Sequence, residues 1–74
     1  MKKDVFLNEL KELLEIEEAN FLENTPINLT SIATLSVIVF VDENFNKQIK
    51  ANNLKNVNSP LDLMILIGLE KFEQ

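Results

Sequence analysis

The chain has no cysteine, histidine, tyrosine or tryptophan, and every positively charged side chain is a lysine. Without cysteine there is neither a disulfide framework nor a thiolate metal site, which is compatible with a reducing compartment. Without histidine or cysteine, a hydrolytic serine lacks its usual base. A general acid working near neutral pH is equally hard to assemble from the side chains that remain. Carboxylate pairs could do such work in principle, yet none stands out from the solvated acids of a helix face. The expectation is a protein that is not an enzyme, with any reactive group supplied from outside. Long apolar runs are missing too: Val37 to Val41 is far too short to span a bilayer. Lys2 and Lys3 are followed at once by Asp4 rather than by the apolar stretch of a signal peptide. Cytoplasmic residence without membrane insertion is therefore expected.

What is present describes one small domain, residues 1–74, with an apolar fraction of 46%. A chain this short buries only about 60% of the surface it exposes when unfolded, so its stability is marginal. Twelve acids against seven lysines give a net charge of −5. Phosphate backbones need clustered cations, so nucleic acid is not an expected partner. An acidic surface suits partners with basic patches. Nothing in the pattern calls for an obligate second copy, and a monomer is expected.

Taken in order, Asp4 to Ile16 has the spacing of an amphipathic helix. Phe6, Leu7, Leu10, Leu13 and Leu14 recur at helical steps, and Lys3, Asn8, Glu9, Lys11, Glu12 and Glu15 lie on the other side. Asp4 is the expected N-cap. From Glu17 to Asn28 the turn formers Asn20, Asn24, Thr25, Pro26 and Asn28 predict a long loop that folds Phe21, Leu22 and Ile27 back onto the core. Asn46 to Val57 is a polar connection with room for one short turn around Ala51 to Lys55. Ser59-Pro60-Leu61-Asp62 starts a last helix with a serine N-cap, proline at N1 and an acid at N3. Leu63, Met64, Leu66 and Ile67 supply its apolar face. Gly68 is a natural stop, although Leu69 and Phe72 could extend the pattern.

The stretch from Leu29 to Phe45 is the centre of the arrangement. Its β-branched run favours a strand locally. Ile32, Leu35, Ile38, Val41 and Phe45, however, form a stripe at helical steps, and no second strand of similar quality exists to pair with it. A helix is expected, with that stripe toward the core and Val39 and Phe40 off it. Thr30 and Ser31 stand at its mouth. The Ser31 hydroxyl would serve as an N-cap, and a phosphate ester on it would meet the positive end of the helix dipole. The fold class that follows is all-α: a small bundle of three to four helices with a long loop between the first and second.

From Leu29 onward the chain resembles the acyl and peptidyl carrier protein family. The family's signature is Asp-Ser-Leu at the head of the second helix, with acids and an aromatic at its end. Here Thr30-Ser31-Ile32 stands in the first place, and Val41-Asp42-Glu43-Asn44-Phe45 in the second. Asn46 stands where the family usually has glycine, and Ile49 and Ser59-Pro60-Leu61-Asp62-Leu63 continue the pattern without a gap to Gly68. The run Ser31-Ile32-Ala33-Thr34-Leu35-Ser36-Val37-Ile38 is closer to the stand-alone carriers of specialised pathways than to the fatty-acid-synthesis type.

The resemblance implies an acyl-carrier-like bundle in which Ser31 is esterified to 4′-phosphopantetheine, drawn from coenzyme A by a phosphopantetheinyl transferase. The arm's thiol would hold acyl or aminoacyl groups as thioesters for enzymes that load and transfer them. Thr30, Ile32, Val39, Phe40, Asp42 and Glu43 would form the surface those partners read, the acids meeting basic docking patches. The other reading of the same residues is an unmodified carrier-like interaction module in which Ser31 is only a helix N-cap.

Overall fold

The computed structural model describes residues 1–73. Three helices carry the fold: α1 (Lys3–Leu13), α2 (Ser31–Phe45) and α3 (Pro60–Ile67). Short 3₁₀ turns at Ala51–Leu54 and Leu69–Lys71 fill the later connections. The whole measures 29 × 27 × 19 Å. Among the described residues there is no strand, so the β-branched run of α2 is helical as its spacing requires, and the chain is a small all-α bundle.

The core draws on each part of the chain. Phe6 and Leu10 come from α1, Val37, Phe40 and Val41 from α2, and Leu63, Met64 and Ile67 from α3. Connecting segments add Phe21, Ile49, Leu54 and Val57. At one end the rings of Phe6, Phe40, Phe45 and Phe72 interlock. Phe6 meets Phe72 edge-on at 4.9 Å, Phe40 lies 6.0 Å from Phe6, and Phe45 lies 5.2 Å from Phe72. These are the tilted and edge-to-face arrangements that aromatic quadrupoles favour. No polar or charged side chain is buried among the described residues.

Two expectations about the helices need correction. The first helix begins at Lys3 and ends at Leu13, so Asp4 lies inside its first turn, where its carboxylate accepts the Val5 N–H at 2.9 Å. The start is set from outside the helix. Lys2 bridges Glu73, and the Lys3 N–H donates to the Glu73 carbonyl at 2.8 Å, tying the two chain ends together. At the other end, Ile16 N–H bonds Lys11 O at 3.0 Å and Glu15 N–H bonds Glu12 O at 3.1 Å, with Glu15 left-handed at φ 55°. That is a Schellman stop without its usual glycine.

The second correction concerns the facing of α2. Its buried residues are Val37, Phe40 and Val41, whereas Ile32 and Leu35, expected in the core, are 79% and 65% exposed. Because α2 is apolar nearly all round, periodicity alone could not orient it. The aromatic cluster does, by drawing Phe40 inward. Phe40, expected as a docking residue, is therefore a core residue with 8% of its surface exposed.

The long connection between α1 and α2 is fastened rather than loose. Ile27 N–H donates to Asn58 O at 2.9 Å, and Leu61 N–H, a free donor in the first turn of α3, is taken up by Glu23 O at 2.8 Å. Lys3 also pairs with Glu23. Phe21 is buried as expected, whereas Leu22, expected to fold back with it, is 58% exposed. The start of α3 follows the sequence: Ser59 Oγ accepts the Asp62 N–H at 3.3 Å, and the Asp62 carboxylate accepts the Asn58 N–H at 3.0 Å. Gly68 ends α3 at φ +123°, a backbone conformation that side chains rarely adopt.

Candidate functional site

The head of α2 assigns separate tasks to its two hydroxyls. Thr30 has extended backbone angles, and its Oγ1 accepts the Ala33 N–H at 3.1 Å while its carbonyl accepts the Thr34 N–H at 2.8 Å. Thr30 is thus the N-cap, and Ser31 is the first helical residue. The reading of Ser31 as the cap is corrected: one residue upstream, an equally competent hydroxyl already has that role. Ser31 is exposed.

Its surroundings are shaped by the loop and the 3₁₀ turn. Ser31 lies on the wall of a groove of about 480 Å³ between the head of α2 and the Ala51–Leu54 turn. Ile27, Leu29, Leu35 and Val57 give the groove apolar walls, and Lys55 brings a cation. The first turn of α2 contains no acid, so beyond the Ala33 N–H taken up by Thr30 no negative charge balances its positive dipole end.

The outer face of α2 runs away from this point. At about 100° per residue, Ile32, Leu35, Val39, Asp42 and Glu43 share the side opposite Val37, Phe40 and Val41. All five are exposed. Of the expected surface residues, Thr30, Ile32, Val39, Asp42 and Glu43 are therefore accessible, and Phe40 is not. Leu35 was missed because it fell on the stripe assigned to the core. With Ile32 and Val39 it forms three apolar side chains at steps of three and four, each more than half exposed. Asp42 and Glu43 lie in the last turn of α2, which has no basic residue, and neither has an ion-pair partner among the described residues. Negative charge is disfavoured at that end of a helix. Their position therefore does not serve helix stability.

A further contact was not legible locally. The Lys47 ammonium donates to the carbonyls of Leu66 at 3.2 Å and Ile67 at 3.0 Å, covering the C-terminal end of α3. Asn46, left-handed at φ 52°, makes the reversal after α2 that allows this reach. Among the described residues no group of histidines, cysteines or acids could hold a metal ion, and no helix is long and apolar enough to cross a membrane.

Compared with protein-family models, with curated proteins and with solved structures, the chain matches none.

Proposed function

We propose that this chain is a carrier protein, with Ser31 as the attachment point for 4′-phosphopantetheine and the outer face of α2 as the surface read by the enzymes that load and unload it. The observation that carries the reading is the division of labour between Thr30 and Ser31. Thr30 caps the helix, which leaves an exposed serine hydroxyl at the first helical position with no structural duty assigned to it. The fold is of the acyl-carrier type in this reading, with the long fastened loop between the first two helices.

The residues present fit the group. A phosphodiester on Ser31 Oγ would supply the anion that the first turn of α2 lacks, and the Lys55 cation lines the same groove. The bound arm would supply a thiol, the function this cysteine-free chain cannot provide, and that thiol carries acyl or aminoacyl groups as thioesters. In the attachment step the Ser31 Oγ–phosphorus bond forms as the pyrophosphate bond of coenzyme A breaks. Adenosine 3′,5′-bisphosphate leaves, and the hydroxyl proton passes to a base on the transferase. Ile32, Leu35 and Val39 offer apolar contact along α2 away from Ser31, and Asp42 and Glu43 offer charge for basic partners.

The test is intact-protein mass spectrometry after incubation with coenzyme A and a broad-specificity phosphopantetheinyl transferase, with Ser31→Ala alongside. One added phosphopantetheine, absent from Ser31→Ala, is the expected result. A second reading, an unmodified interaction module, is favoured by the exposed Ile32, Leu35 and Val39, which need no prosthetic group. It prevails if wild type gains no mass with transferases from several sources.

A further inference from the structure

A second surface lies on the flank of α2 that faces α1. Two concavities of about 370 Å³ each open there and share Leu13 and Phe40. The floor is mainly apolar: Leu13 is half-buried, Leu35 and Val39 are exposed, Phe40 keeps 8% of its surface exposed, and the half-buried Ser36 is the one uncharged polar residue of the lining. The rim is of one sign. Glu9 and Glu12 border it from α1 and Glu43 from α2, and no lysine lines either concavity. Those three carboxylates are exposed, and none is ion-paired among the described residues.

We infer that this groove docks a cationic amphipathic helix of a partner protein. Charge complementarity selects the occupant. An apolar floor between carboxylates on both sides matches a helix whose apolar stripe is flanked by lysine or arginine. The backbone of α1 and α2 is satisfied within each helix, so there is no strand edge on which an extended peptide could pair. A trough between two helices receives a third by ridge-into-groove packing. The stretch from Leu35 to Glu43 runs about 12 Å, enough for roughly two turns of a docked helix. Anionic membranes and nucleic acids are repelled by the same rim. This surface shares Leu35, Val39 and Glu43 with the carrier reading but includes α1, and it does not depend on modification of Ser31.

The experiment is an NMR titration of the ¹⁵N-labelled full chain with two amidated probe peptides of about 14 residues, one Leu/Lys and one Leu/Glu, each long enough for roughly 20 Å of helix. The Leu/Lys peptide is expected to give saturable amide shifts centred on Glu9, Glu12, Leu13, Leu35, Val39 and Glu43, and the Leu/Glu peptide none. Leu35→Ser/Val39→Ser, which alters only exposed positions, is expected to weaken binding about tenfold, as loss of central apolar contacts does. Glu9→Gln/Glu12→Gln is expected to flatten its salt dependence. Shifts centred on another face, equal binding of the Leu/Glu peptide, or unchanged affinity of Leu35→Ser/Val39→Ser would overturn the inference. Ser31→Ala is expected to bind as wild type does. Loss of phosphopantetheine acceptance with docking intact, or the reverse, therefore separates the two proposals.

Discussion

Replacing Phe40 by alanine tests the orientation of α2 on which the account of its outer face depends. Phe40 is 8% exposed and lies 6.0 Å from the Phe6 ring and 6.5 Å from the Phe45 ring. Truncating a buried phenylalanine costs about 3–5 kcal/mol through lost transfer energy and the cavity left behind. At the usual 0.05–0.15 kcal/mol per residue, a chain of this length has about 4–11 kcal/mol in total. Phe40→Ala is therefore expected to remove much of the stability and to leave a fraction of molecules unfolded without denaturant. Phe40→Leu keeps most of the buried volume and is expected to cost about 1–2 kcal/mol, which gives a variant that folds. Leu35→Ala, at a position 65% exposed, is expected to change stability by no more than about 0.5 kcal/mol. Urea titration followed by helical circular dichroism reads all three, since the chain has no tryptophan to serve as a fluorescence probe. A Leu35→Ala loss as large as that of Phe40→Leu would refute the facing of α2 and with it the exposed stripe.

Further outcomes follow from the helix ends. Glu15→Gly is expected to stabilise the fold by about 0.5–1 kcal/mol in the same titration, because Glu15 is held at φ 55° where glycine has no steric penalty. Thr30→Ala is expected to cost about 1 kcal/mol through loss of the N-cap, while Ser31→Ala costs less than about 0.5 kcal/mol. Equal losses at the two positions would contradict the assignment of the cap to Thr30. Lys47→Met is expected to destabilise by about 0.3–1 kcal/mol at low salt, with the difference from wild type narrowing as salt is raised. A difference independent of salt would argue against a charge interaction with the end of α3.

Sequence reasoning worked where polar residues mark a boundary or a face. The wet side of α1, with Glu9 and Glu12, leaves Phe6 and Leu10 for the core, and both are fully buried. Ser59-Pro60-Leu61-Asp62 starts α3 as its cap chemistry dictates. It failed on the body of α2, where the two charges that mark the wet side, Asp42 and Glu43, come only in the last turn and share their face with Ile32, Leu35 and Val39. Around most of its circumference α2 is apolar, so the stripe through Ile32 and Leu35 and the face through Val37 and Phe40 looked alike from periodicity. The ring cluster formed with Phe6, Phe45 and Phe72 selects between them, and that is a contact between distant segments. At Thr30-Ser31 two adjacent hydroxyls could each cap, and the frame differs by one residue. The start of α1 depends on Glu73 and the cover of α3 on Lys47, and neither is written in the neighbouring sequence. Much of the outer-face site was legible in Val39, Asp42 and Glu43, and its apolar centre, Leu35, was hidden by the wrong choice of face.

The carrier reading is tested most directly by expressing the chain in a host with several phosphopantetheinyl transferases and locating the adduct by tandem mass spectrometry. The chain has three serines: Ser31, Ser36 and Ser59. Ser36 is half-buried within α2, and Ser59 is held as the cap of α3. The account predicts phosphopantetheine on the peptide fragments that contain Ser31 and on none that lack it. An unmodified chain, or an adduct on Ser36 or Ser59, would contradict it.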